Sequence, residues 1–272
     1  MSGQGLWARA GARLRHDPRA MVSAAVLALI ALSCLAGPWL GPALDSGEWF
    51  GTDNAGRDLF ARTLEGGSVS LLAGLLATLV SVAIGVAWGA VAGYFGGRVD
   101  ALMMRAVDAL SALPLVLLVV LLVVLFGRSF ALVFVAVGAI TWLDLARVVR
   151  GRTRSLRRSE FVDAARLAGL PPQAIIRSHL VPNLLGAVIV GAVLTVPQAI
   201  LIESLLSFLG LGVPEPGASW GVLVSAGAAG MAAAPWALLF PAGFLTVTLL
   251  CLNVLGNGLR EALERAGQGR PG

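Results

Sequence analysis

The amino-acid sequence predicts an all-α integral membrane protein with six transmembrane helices. Hydrophobic residues make up 57% of the 272 residues and charged residues only 13%, and the mean hydropathy is +0.86. Such a composition is typical of membrane proteins rather than of soluble domains. The apolar residues are also collected into stretches of about 20, the length a helix needs to cross roughly 30 Å of hydrocarbon.

Six stretches are long enough to be spans, and the fourth carries Asp144 and Arg147, one helical turn apart and expected to pair. The predicted spans are residues 20–40, 68–94, 107–126, 130–149, 184–206 and 232–257. The segmentation is a cytoplasmic N-terminal arm (1–19), the first transmembrane helix (20–40), an external loop (41–67), a five-helix core (68–258) with an inner loop at 150–183, and a cytoplasmic C-terminal tail (259–272).

The arginines indicate the orientation. The chain contains no lysine, so arginine supplies all 20 basic residues, and the formal net charge is +5. With the N-terminus in the cytoplasm, seventeen arginines fall in inner segments and only Arg57, Arg62 and Arg128 in outer loops, as the positive-inside rule requires. Topology therefore explains the basic charge without nucleic acid, and both termini are predicted to be cytoplasmic.

Small residues predict close helix packing in the second span. Gly85, Gly89 and Gly93 recur every four residues, so they form one stripe on which a neighbouring backbone can approach closely. Proline is expected to kink three other spans, because it removes a backbone hydrogen bond and clashes with the preceding turn. These prolines are Pro114, Pro197 and Pro241.

The inner loop, residues 150–183, is predicted to form a compact two-helix elbow. Its first helix begins at Glu160, and at 100° per residue its small side chains share one flat face, while Glu160, Asp163 and Arg166 point elsewhere. That face consists of Phe161, Ala164, Ala165 and Ala168. An interfacial amphipathic helix on the lipid headgroups is the alternative, which the shortage of bulky apolar anchors disfavours.

The ends of the two elbow helices have clear sequence signals. Gly169 is expected to end the first helix by adopting a left-handed conformation. Pro172 is expected to start a second short helix that runs through His179, since proline is favoured in the first helical turn. Pro182 then marks the return into the membrane.

Catalysis and metal binding are not predicted for this chain. Without lysine, the chain lacks the phosphate-binding loop of ATPases. Ser219 lies in a Gly-x-Ser-x-Gly pattern, but both histidines, His16 and His179, fall on the opposite side of the membrane in the predicted topology. Two histidines so far apart do not form a metal site, and Cys34 and Cys251 are expected to be packing residues.

The elbow resembles the coupling loop of ABC importer permeases. That loop has Glu-Ala-Ala, three residues, Gly, nine residues, and then a short apolar segment ending in Leu-Pro. The positions that match are Asp163, Ala164, Ala165, Gly169 and Pro182, with Asp163 in place of the usual Glu. His179 and Val181 replace aliphatic positions, and the His-x-x-Pro-Asn ending is similar to the peptide and nickel branch of the family.

Other blocks match the same branch in the same order, over roughly residues 50–265. The external loop is similar to a Gly-Thr-Asp-x-x-Gly-Arg-Asp motif that follows the first span in that branch. Its residues are Gly51, Thr52, Asp53, Gly56, Arg57 and Asp58. Further matches lie at residues 93–108, 207–212, 219–221 and 256–261, where Asn257 replaces the usual Asp.

The resemblance implies a type I ABC importer permease fold in a bacterial plasma membrane. The implied partners are a second homologous permease subunit, two cytoplasmic ATPase subunits or domains, and an extracytoplasmic solute-binding protein, all working at the lipid bilayer. ATP and magnesium would be bound by the ATPase, so this chain needs no cofactor. The residues implied for ATPase coupling are Glu160, Phe161, Asp163, Ala164, Ala165, Gly169, His179 and Pro182.

The cargo and its path are less constrained by the sequence. Glu203 and Asp108 lie near span ends and either line the pathway or are simply paired there. For Arg57 and Asp58, pairing within the loop is favoured over substrate contact. Import of di- or oligopeptides, nickel or a related solute is the first hypothesis. An ion-coupled secondary transporter or channel without an ATPase is the second, and a non-transporting membrane scaffold the third.

Overall fold

The computed structural model describes residues 4–44, 50–52, 56–126, 130–214 and 217–268, and these form helices joined by short connections. Within these ranges the only β-type pairing is an isolated bridge between Thr52 and Asp58. The helices are α1 (Gln4–His16), α2 (Pro18–Leu44), α3 (Leu59–Phe95), α4 (Gly97–Ser111), α5 (Leu115–Phe126), α6 (Phe130–Leu156), α7 (Glu160–Leu167), α8 (Pro172–Ala174), a π-helical turn (Ile175–Leu180), α9 (Val181–Phe208), α10 (Trp220–Ala229) and α11 (Trp236–Gln268).

Four of the described helices are long and apolar enough to cross a membrane, where the sequence predicted six spans. They are Pro18–Gly37, Leu59–Phe95, Pro172–Phe208 and Trp236–Ala266. Leu117–Phe126 and Trp220–Ala229 are apolar but short. The long helices correspond to the first, second, fifth and sixth predicted spans.

The third predicted span, residues 107–126, is not one helix. α4 ends at Ser111 and α5 begins at Leu115, because Pro114 has no backbone N–H and disfavours helical geometry in the residue before it. The prediction of a single kinked span was therefore wrong here. α4 is instead amphipathic, with Met104 and Val107 buried and Arg105 and Asp108 exposed. Pro197 and Pro241, by contrast, lie inside the continuous helices α9 and α11.

The helices also extend into segments that the sequence assigned to loops and tails. α3 begins at Leu59, inside the predicted external loop 41–67, and α11 continues through the predicted tail to Gln268. The tail helix carries the pairs Arg260–Glu264 and Arg265–Glu261, at 3.0 and 3.1 Å. The N-terminal arm holds α1, whose Ala10 packs against Ala262 and Ala266 of α11.

α3 and α6 pack in close contact at the centre of the bundle, along the glycine stripe. A Cβ added at Gly89 would lie 2.5 Å from the carbonyl oxygen of Ala146, and one at Gly93 would lie 2.7 Å from that of Arg150. At Gly85 the nearest atoms, from Trp142 and Leu145, are 3.1 Å away. The side-chain-free stripe thus lets the two backbones meet, as its four-residue spacing indicates.

Candidate functional site: the elbow and the buried polar groups

The inner face of α7 anchors the elbow to the bundle. Val162 and Ala165 are buried in a cluster with Tyr94 of α3 and with Ile175 and Leu180 of the π-helical turn. The sequence placed Ala165 on the same flat face as Phe161 and Ala164. In the structure Ala165 lies at the buried edge of that face, because the rotation of α7 is set by Val162 entering the core.

The outer face of α7 is exposed, and its small and apolar side chains stand beside charged ones. Leu167 is 89% exposed and Phe161 37%, and Ala164 and Ala168 lie between them on the surface. Glu160 and Asp163 are also exposed at the start of the helix. Because these side chains are small, a partner can approach this part of the helix surface closely.

The hinge after α7 has the geometry of a Schellman motif. The N–H of Leu170 donates to the carbonyl of Ala165 at 3.2 Å, and that of Gly169 donates to Arg166 at 2.9 Å. Gly169 has φ +76°, which only glycine adopts without strain. Pro172 then occupies the first turn of α8 as expected, but the helix does not stop at His179; it continues through Pro182 into α9.

Replacing Gly169 with alanine isolates the hinge conformation from packing. A Cβ at Gly169 meets nothing within 4 Å, so the expected loss is the cost of a left-handed non-glycine residue, about 1–2 kcal/mol. Gly151→Ala is the control, because Gly151 has the same open space but lies within α6. Limited proteolysis at the elbow should accelerate only in the first variant. Equal proteolysis of both variants would contradict the hinge assignment.

Arginines tie the start of the elbow to α3 and α4. Arg150, just beyond the predicted end of the fourth span, makes a bidentate pair with Asp100, at 2.5 Å through Nε and 2.6 Å through Nη2. Arg157 donates to the carbonyl oxygen of Phe95 at 3.2 Å. No sequence pattern predicts these two contacts, which join residues 50 and 62 positions apart.

Asp108 belongs to an ion-pair cluster at the break between α4 and α5. Arg147 lies 3.2 Å from Asp108 and 2.9 Å from Asp144, and its Nη2 is 2.6 Å from the Ser111 hydroxyl. The pairing of Asp144 with Arg147 was expected from their spacing. Asp108 is exposed and paired, and its cluster borders a cavity of about 280 Å³.

Glu203 is the most deeply buried carboxylate of the described chain, at 1% exposure. It accepts hydrogen bonds from Ser207 at 2.7 Å, Ser70 at 3.1 Å and Ser204 at 3.4 Å. Ser70 in turn accepts from the backbone N–H of Trp220 at 3.1 Å. One carboxylate therefore connects α3, α9 and the first residue of α10, and it does not line an open cavity in this structure.

Removing this carboxylate should loosen the junction of those three helices. Glu203→Leu leaves buried hydroxyls without their acceptor, which costs about 1–3 kcal/mol for each unsatisfied group, whereas Glu203→Gln keeps an acceptor and should cost less. Thermal unfolding of the purified protein in detergent measures both. Glu264→Leu, which breaks a surface pair with Arg260, is the control and should change stability little. A Leu variant as stable as this control would contradict the assignment.

The external motif builds the start of α3. The Asp58 side chain accepts from the N–H of Ala61 at 2.9 Å and caps the helix, and Leu59 donates to the carbonyl of Gly51 at 3.0 Å. Thr52 and Asp58 form the bridge that closes the turn. Gly56 and Arg57 lie exposed in the same turn, and Asp53 lies outside the described residues. Asp58 thus has a structural role.

The serine of the Gly-x-Ser-x-Gly pattern also has a structural role. Ser219 is fully buried, and its hydroxyl accepts from the N–H of Val222 at 3.4 Å at the start of α10. Gly221 lies against the backbone of Ser204, so α10 packs directly on α9. Within the described ranges no three His, Cys, Asp or Glu side chains are grouped as metal ligands.

Known families and proteins match this chain over nearly its whole length. Residues 85–266 match the binding-protein-dependent transport system inner membrane component, and residues 5–55 the N-terminal transmembrane domain of oligopeptide transport permease C. The oligopeptide transport system permease protein OppC of Escherichia coli is 48% identical over 97% of this chain and 92% of its own. That of Bacillus subtilis is 39% identical, over 95% and 89%.

The dipeptide transport system permease protein DppC of Bacillus subtilis is 41% identical, over 93% of this chain and 83% of its own. The resemblance inferred from the elbow and the external motif is confirmed by these matches. This chain belongs to the family of binding-protein-dependent transport system inner membrane components, and it is a membrane permease of an ABC importer rather than an enzyme.

Proposed function

We propose that this chain forms part of the translocation pathway of a peptide importer and takes its driving force from a separate ATPase through the exposed face of α7. The observation that carries this proposal is the elbow: an exposed helix with small side chains whose inner face packs on the end of α3 and on the turn that leads into α9. The relatives named for oligopeptide and dipeptide transport favour peptides as cargo over nickel or another small solute.

The elbow offers a mechanical route into the bundle. A displacement of α7 would press Val162 and Ala165 against Tyr94 near the end of α3 and against the turn that leads into α9. α3 and α9 meet again farther along the bundle through Ser70 and Glu203. Because packed elements move as rigid bodies, motion at α7 would tilt α3 and α9 and alternate access to the pathway.

The finer topology and partners are part of the same proposal. Six spans would comprise the four long helices together with α5 and α6. α6 has 27 residues, whereas α5 has 12 and is too short to cross the hydrocarbon without the segments next to it. Both termini would face the cytoplasm. A homologous permease, two ATPase subunits or domains holding ATP and magnesium, and an extracytoplasmic binding protein would complete the importer. Asp108 and its ion pairs remain candidates for a gate.

Reconstituted transport tests the proposal. Proteoliposomes that contain this chain and its co-transcribed partner subunits should accumulate a labelled tripeptide. Accumulation should require ATP on the side of the membrane where the ATPase lies. Omitting the ATPase, or supplying a proton or sodium gradient in place of ATP, should abolish accumulation. Gradient-driven uptake by this chain alone would overturn the proposal in favour of a secondary transporter, and ATP-driven uptake that persists without this chain would favour a scaffold.

A further inference from the structure

A basic cavity lies where the end of α3 meets the ends of α6 and α7. Its volume is about 470 Å³. The arginines that line it are Arg154, Arg157, Arg158 and Arg166, and Asp163 is the one carboxylate among them. Four positive charges against one negative charge give this site a net positive potential. The contacts that hold the elbow to the bundle do not require this excess of positive charge.

Two of the four arginines are already engaged. Arg166 pairs with Asp163 at 3.0 Å and lies 5.5 Å above the ring of Tyr94, and Arg157 donates to the Phe95 carbonyl. Arg154 and Arg158 are exposed, and in the described chain neither has an ion pair or side-chain hydrogen bond. Because these two arginines have no such partners, they are available to bind an anion. Guanidinium groups have the donor geometry that suits phosphate.

The backbone keeps the cavity open. A Cβ at Gly96 would lie 2.6 Å from Nη1 of Arg157, so a larger residue there would push that arginine out of place. Gly97 begins α4, a helix of 15 residues whose N-terminus adds a partial positive charge beside the arginines. Gly97 itself has nothing within 4 Å of its Cβ position and leaves the entrance clear.

The surroundings of the cavity indicate an amphiphilic ligand. Phe95 and Val99, which are close in sequence to the lining residues Gly96 and Gly97, are 46% and 44% exposed, and Leu102 on the next turn of α4 is 72% exposed. The cavity also lies at the end of α3, a helix long and apolar enough to cross a membrane. A soluble anion would need only the arginines, whereas a phospholipid would use both the arginines and the apolar edge.

We propose that this cavity binds the phosphate of an anionic phospholipid, with an acyl chain along Phe95, Val99 and Leu102. Basic pockets between membrane helices are suited to such headgroups, and each arginine near an anionic surface contributes a factor of about five in affinity. The lipid phosphate would bridge α6 to the base of α7 and so hold the elbow in position. Lipid binding is measured directly and does not depend on the transport proposal.

Native mass spectrometry of the full-length chain, purified with the partners that copurify with it, tests this inference. The probes are dioleoyl phosphatidylglycerol and dioleoyl phosphatidylcholine added to the same detergent. The double variant Arg154→Ala with Arg158→Ala should bind phosphatidylglycerol with an affinity that is lower by about 20-fold or more. Arg105→Ala with Arg177→Ala removes the same charge from exposed positions outside the cavity and should leave it unchanged.

The other outcomes each overturn the inference. Equal losses in the two double variants would mean that only net charge attracts the lipid, and equal retention of the two lipids would mean that the headgroup charge is not read. Displacement of phosphatidylglycerol by glycerol phosphate at matched concentration would assign the cavity to soluble phosphates. Phosphatidylglycerol binding to the isolated chain that disappears when the ATPase is present would assign the arginines to that protein partner.

Discussion

Introducing arginine at both Ala164 and Ala168 will reduce ATP-dependent uptake by at least tenfold while leaving membrane insertion intact. Both positions are exposed on the outer face of α7, so the new side chains do not disturb the packed interior of the protein. In the docked importer they would instead place two bulky charges in a contact that only small side chains fit, and desolvating an unpaired charge costs several kcal/mol. Ala165 is unsuitable for this purpose because it is buried.

The matched control is Ala8→Arg with Ala12→Arg, two exposed alanines on α1 with the same four-residue spacing. Uptake of a labelled peptide, copurification of the ATPase and the amount of inserted protein are measured on both variants. The α7 variant should lose uptake and the ATPase together, and the α1 variant should retain both. Normal uptake with arginine at positions 164 and 168 would show that the outer face of α7 carries no partner.

Replacing Gly89 with leucine will strongly destabilise the packing of the bundle. Its Cβ would lie 2.5 Å from the Ala146 carbonyl oxygen, 2.8 Å from the Val149 Cβ and 2.9 Å from the Arg150 nitrogen. Two of these atoms are backbone, so α3 and α6 must separate. Overpacking of this kind typically costs about 1–3 kcal/mol, and the rigid backbone contact places this site at or above that range.

The control for this variant is Gly243→Leu, since a Cβ at Gly243 in α11 meets nothing within 4 Å. Both proteins are compared by yield of monodisperse material in detergent and by unfolding temperature. The Gly89 variant should aggregate or unfold many degrees lower, while the Gly243 variant should behave as the parent. A well-folded Gly89→Leu protein would mean that α3 and α6 are not in close contact.

Periodic patterns in the sequence predicted the parts of the structure that depend on local chemistry. The four-residue glycine spacing indicates a close helix approach, and the backbone of α6 lies at that stripe in the structure. Gly169 and Pro172 mark the hinge because a positive φ and a first helical turn each favour one residue type. The long apolar stretches likewise coincide with α2, α3, α9 and α11.

Features that depend on distant residues were beyond such patterns. A helical projection groups the alanines of α7 but cannot say which side meets Tyr94, so it did not predict that Ala165 is buried while Ala164 and Ala168 are exposed. Asp100 and Arg150 are far apart in the sequence, and only the fold brings them together as an ion pair. The amphipathic pattern of residues 97–111 could have predicted that the helix before Pro114 is separate from α5. A search for apolar stretches alone does not detect that pattern.

The central claim, that α7 is a cytoplasmic docking surface for the ATPase, is tested most directly by thiol labelling of an Ala164→Cys variant. The chain has two native cysteines, Cys34 and Cys251, and both are buried, so the parent should react slowly. A membrane-impermeant maleimide should label Cys-substituted position 164 in inside-out vesicles and not in right-side-out cells, and the assembled ATPase should block that labelling. Labelling from outside the cell, or labelling that the ATPase leaves unchanged, would contradict the claim.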